Sequence, residues 1–151
     1  MKEFNHIDDV LEFAISEEQA AVDFYLMLAE QAKNPQTRGI FSEYAGEEME
    51  HKAKLLRVRE TGSFEMPDQD VKDLRITEYL VDMKPRPDMS YQDALILAMK
   101  KEKAAFRMYT ALSERASDPA IKELFRKLAL EESRHKLRFE LEYDEYVLKE
   151  N

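Results

Sequence analysis

The chain has 151 residues, 44% hydrophobic and 36% charged, with three glycines and five prolines; this is the size of one domain and the composition of helices with solvated outer faces. A net charge of −9 argues against a nucleic-acid partner, and no run of apolar residues is long enough to suggest a membrane span. No cysteine is present for a disulfide, a thiolate metal site or an iron–sulfur cluster, and the opening residues lack an apolar signal segment, so a cytoplasmic protein is expected.

The first helix is expected over about residues 6–33, with Asn5 as its cap and Asp8 in its first turn. Leu11, Ile15, Ala21, Val22, Tyr25 and Leu28 recur at helical spacing and make one apolar stripe. Glu18 falls inside that stripe, where a carboxylate is costly unless it is paired or bound to a metal. Asn34-Pro35 ends this helix and begins the next, with proline at the first helical position. The second helix, about residues 35–60, carries Glu48-Met49-Glu50-His51, and an i, i+3 spacing aims both end side chains at one spot.

Residues 61–89 hold three of the five prolines and are too many for an ordinary helix-to-helix loop of about 2–8 residues. They predict a crossover running the length of a bundle, with a short helix over about residues 70–80; the alternative is a disordered linker. The third helix opens at Ser90 and Asp93, and Asp118-Pro119 makes the turn into the fourth, giving spans of about 91–117 and 119–148.

At this third helix the chain begins to repeat itself. Shifted by 84 residues, positions 9–52 align without a gap on 93–136, with 17 identities in 44, where composition alone gives roughly 2 to 4. The pairs include Glu18/Glu102, Tyr25/Tyr109, Pro35/Pro119, Glu48/Glu132 and His51/His135. Leu95, Met99, Ala105, Phe106, Tyr109 and Leu112 echo the first stripe. The reading is one domain over residues 1–151, made of two helical hairpins (about 5–60 and 90–148): an all-α four-helix bundle of the ferritin-like kind, with its long crossover between helices 2 and 3.

Height along the bundle groups the polar residues. Glu18 lies 16 residues before Asn34, and Glu48 and His51 lie 14 and 17 after it, so all three return to one level. Glu102, Glu132 and His135 stand in the same relation to Asp118. Four carboxylates and two imidazoles at one level form a ligand set whose charge a pair of divalent ions would balance. Oxygen donors with two imidazoles suit iron or manganese, and zinc would also bind. A competing i, i+4 register would use Glu47 with His51 and Glu131 with His135. Pairing of Glu48 with Lys52 and of Glu132 with Lys136 would make plain surface ion pairs, and Tyr25 and Tyr109 could be core aromatics only.

Through Glu18 with Phe24-Tyr25, Glu48-x-x-His51, Glu102 with Tyr109, and Glu132-x-x-His135, nearly the whole chain resembles the rubrerythrin family of ferritin-like proteins. The resemblance implies two iron ions in a non-haem centre used on peroxide or dioxygen, with a tyrosine at the place of Tyr25 or Tyr109 hydrogen-bonding a carboxylate. Two departures stand out. There is no cysteine for the rubredoxin-type iron that rubrerythrins proper carry, and Ala105 stands where they have an extra glutamate one turn after the third-helix ligand. The expected partners are therefore a small oxidant, an external electron donor and further copies of the chain, a dimer first. Iron oxidation or storage without turnover, and a metal-free helical module, are the alternatives.

Overall fold

A computed structural model describes residues 3–150. Its long helices are α1 (Ile7–Gln31), α2 (Pro35–Thr61), α4 (Tyr91–Arg115) and α5 (Pro119–Glu150), with a short α3 (Asp68–Asp73) and a 3-10 turn (Ile76–Tyr79) between the hairpins. The described residues contain no strand, and none of their helices is long and apolar enough to cross a membrane.

Local chemistry sets the boundaries. Asn34 accepts from the Gln36 N–H at 2.8 Å, Ser90 from the Asp93 N–H at 3.1 Å, and Asp118 from the Ala120 N–H at 2.7 Å. Each side chain satisfies a donor that the first helical turn leaves open. The start of α1 differs by one residue from the expectation. His6 is the cap, and it is Asp9, not Asp8, whose carboxylate reaches back to the N–H groups of Asn5 and His6 at 3.0 Å each. Gly62, at φ +62°, supplies the left-handed turn that stops α2.

The hairpins α1–α2 and α4–α5 pack against each other with α2 and α5 antiparallel: Glu47 meets His135, and His51 meets Glu131. Two apolar clusters fill the interior. One holds Leu11, Leu55, Leu112 and Phe125; the other holds Phe24, Leu28, Phe41 and Phe139. The crossover joins the two ends. Phe64, Val71, Leu74 and Ile76 are buried in the first cluster, whereas Met89 is buried in the second and Val81 packs on it. Residues 61–89 are thus a docked strap and not a loose linker. The helix expected over residues 70–80 is split, because Arg75 adopts φ 52° and ends α3. Phe106 also departs from the stripe assigned to it: it is exposed, and Met108 takes the buried place.

Candidate metal centre

Between the two apolar clusters lies a single polar layer. Glu18 comes from α1, Glu48 and His51 from α2, Glu102 from α4, and Glu132 and His135 from α5; each is no more than 2% exposed. Their donor atoms form two groups, Glu18–Glu48–His51–Glu132 and Glu48–Glu102–Glu132–His135, with the atoms of each group within 4.8 Å of one another. Glu48 and Glu132 belong to both. The arrangement has two lobes with two carboxylates between them, and each lobe takes residues from both hairpins.

The imidazoles point the same way. His51 Nδ1 lies 3.3 Å from Glu18, 3.4 Å from Glu48 and 3.3 Å from Glu132; His135 Nδ1 lies 3.2 Å from Glu48, 3.7 Å from Glu132 and 3.8 Å from Glu102. Both Nε2 atoms face outward to a carboxylate of the opposite hairpin. His51 pairs with Glu131, and His135 pairs with Glu47 at 3.1 Å. A carboxylate on Nε2 fixes that nitrogen as an N–H donor and leaves Nδ1 as the inward-facing atom, the one a metal would take once any proton on it is displaced. Arg134 pairs with Glu47 and lies over the Tyr44 ring, which stacks on His135 at 4.0 Å.

Inside the layer, Glu18 Oε2, both oxygens of Glu48, Glu102 Oε2, Glu132 Oε1 and both imidazole Nδ1 atoms are buried without a hydrogen-bond partner. Buried polar atoms are ordinarily satisfied, and this many inward-facing orphans mark a place built for cations. The donor set therefore fits two metal ions. Electrostatics agree. Burial, reinforced by neighbouring carboxylates, holds Glu48, Glu102 and Glu132 well above the usual carboxylate range. Burial opposes charge on both histidines. For His51 the adjacent Glu18 carboxylate, with Glu48 and Glu131, wins and raises it to about 9; His135, with His51 as a like-charged neighbour, falls to about 3.

Glu47 and Glu131, the rival register, lie outside the layer as the outer partners of the imidazoles, each across the hairpin boundary. The surface ion pairs do not form: Lys52 donates to Gln19 at 2.7 Å and Lys136 to Glu140 at 3.0 Å. The two tyrosines divide. Tyr109 donates to Glu18 at 2.8 Å, and burial keeps its hydroxyl protonated. Tyr25 is equally buried, but its ring packs edge-on to His135 at 6.4 Å, and no hydrogen bond joins its hydroxyl to a carboxylate among the described residues.

A cavity of about 40 Å³ reaches the layer between α1 and α4. Its walls include two repeat pairs, Ala21 with Ala105 and Tyr25 with Tyr109, and Tyr79 and Val81 of the crossover also line it. Glu17 and Lys101, also repeat counterparts, form an ion pair of 3.7 Å beside it. The volume suits one or a few water-sized molecules. Ala105 lines this cavity together with Glu18, Glu102 and Glu132 of the layer.

The comparisons with known proteins agree with this geometry. The chain superposes on a crystal structure from Thermotoga maritima, described as a candidate ferritin-like diiron-carboxylate protein, with a TM-score of 0.71. Identity is 19%, and the match covers 97% of this chain and 99% of the other, which establishes the shared fold. No curated protein matches at a significant level. The model of the rubrerythrin family matches residues 9–143, a span containing both hairpins, the crossover and all six residues of the polar layer. By that match the chain belongs to the rubrerythrin family.

Proposed function

We propose that the chain is a non-haem di-iron oxidoreductase that reduces peroxide or dioxygen with electrons from an external donor. The observation that carries this reading is the pair of buried donor groups sharing Glu48 and Glu132, with their inward atoms unpartnered. Glu18 and His51 would hold one ion, Glu102 and His135 the other, and Glu48 and Glu132 would lie between them. When bound, two irons supply the two electrons that, with two protons, convert hydrogen peroxide to two waters. The chain's own part is positional. Tyr109 holds Glu18 by its hydroxyl, Glu131 and Glu47 hold the imidazoles, and the apolar clusters above and below keep bulk water out. The cavity admits an oxidant of a few atoms. Lacking cysteine, the chain holds no thiolate iron relay of its own, so repeated turnover draws on a separate donor.

The test is stopped-flow absorbance of reduced, iron-loaded protein against peroxide and against dioxygen. One addition of oxidant should give about one turnover, with cycling resumed only on supply of a donor protein or chemical reductant. Protein shown to hold two irons that reacts with neither oxidant would leave iron holding as the role.

A further inference from the structure

The outer face of α5 carries apolar side chains that the bundle does not use. Leu130, Leu137, Leu141 and Leu148 are 52%, 56%, 53% and 76% exposed. One such leucine on a surface is ordinary. Four on one line are not, and these lie on the side of α5 opposite the core-facing Phe125, Glu132, His135 and Phe139. Two exposed charges complete the line, Arg134 and Asp144. The six positions advance by steps of 4, 3, 4, 3 and 4 residues, the a and d spacing of a coiled-coil seam.

The order of residues along that line says what covers it. Read forward it is Leu, Arg, Leu, Leu, Asp, Leu; read backward, arginine and aspartate simply exchange places. An antiparallel copy of the same helix, with its two-fold axis level with Phe139, therefore sets Leu130 against Leu148, Leu137 against Leu141 and Arg134 against Asp144. Each layer pairs an a position with a d position. A parallel copy in register would set arginine on arginine and aspartate on aspartate. An isologous interface must be complementary to itself, and this line is. Arg134 is already steadied by Glu47 and the Tyr44 ring. The seam runs about 27 Å, at roughly 1.5 Å per residue.

We propose that the chain assembles as a two-fold dimer through an antiparallel α5–α5 seam, a reading independent of any metal in the bundle. Sedimentation of the full chain should show a dimer at micromolar concentration. Leu137→Glu should raise its dissociation constant by roughly tenfold or more, and Asp144→Arg should weaken it comparably. Arg134→Asp combined with Asp144→Arg should recover much of the loss. Because Arg134 neighbours His135, a second measurement leaves it untouched. Under mild oxidation, a mixture of Leu130→Cys and Leu148→Cys chains should form a disulfide-linked heterodimer. Neither variant alone should, since its own cysteines lie at opposite ends of the seam, and the natural chain has no cysteine to confuse the result. A monomer throughout overturns the proposal. So does a dimer that tolerates Leu137→Glu and gives no mixed disulfide, which would place the contact on another face.

Discussion

His51 and His135 occupy the same place in the two repeats, yet their surroundings differ. Glu18, Glu48 and Glu131 hold His51 protonated to about pH 9, while burial and the His51 charge keep His135 neutral down to about pH 3. In metal-free protein the His51 charge stabilises the fold fully below its unfolded value near 6.5, and this is lost as pH rises through about 9. The three raised carboxylates act in the same direction, because the fold favours their protonated forms and loses that advantage as pH rises above the ordinary carboxylate value. His135 has the opposite slope, with its contribution complete above about 6.5 and lost as pH falls toward 3. A cation must displace these protons, so metal affinity should rise with pH. For the ion beside His51 we expect roughly tenfold per unit between pH 6 and 8, measured by competition with a chelator; a flat profile would mean that His51 is not displaced. Substitution separates ligand from outer partner. Glu48→Ala should lower the stoichiometry below two ions, whereas Glu47→Gln should keep two and weaken binding by about 10-fold or more, read by metal analysis and titration. The repeat and the level count bring out all six residues of the layer from sequence. They do not bring out Glu47 and Glu131 as outer partners, because that role depends on how α2 docks on α5, which no spacing within one helix encodes.

At the scale of elements, the crossover shows most clearly what burial adds. Val71, Leu74 and Ile76 are inserted into the first apolar cluster, although their stretch is short and interrupted at Arg75. Ile76→Ala should destabilise the protein by about 2–4 kcal/mol, while Leu80→Ala, at a half-exposed side chain just beyond, should cost under about 1 kcal/mol. Urea denaturation monitored by circular dichroism checks both, and equal, negligible effects would mean a strap that does not dock. The helix ends at Asn34, Ser90 and Asp118 are legible because one side chain and a neighbouring N–H decide each. Phe106 is not legible from periodicity. Its repeat counterpart Val22 is buried, but the flank of α4 at Phe106 faces solvent, and a helical period cannot report which neighbour covers a flank.

For the whole molecule, stability and metal are joined by a charged layer set between two apolar clusters. Loading with iron or manganese at about a hundredfold excess over the dissociation constant should stabilise the fold by about 2.7 kcal/mol per site and, with both sites filled, raise Tm by roughly 10–20 °C. Glu18→Ala with Glu102→Ala should shrink that rise. Glu18→Leu with Glu102→Leu should instead melt higher than the natural chain when both are metal-free, since two buried carboxylates are exchanged for apolar contacts. Calorimetry decides, and an identical melting curve with and without metal would remove the coupling. The crossed outer partners carry one more consequence. Glu47 serves the histidine of the second hairpin and Glu131 that of the first, so neither hairpin alone contains a finished lobe. Two identical hairpins meeting about a dyad would satisfy the same crossed pairing. A self-associating ancestor of half this length, later doubled into one chain, could therefore have had a complete centre before the duplication, and the 17 identities would be what remains of that inheritance.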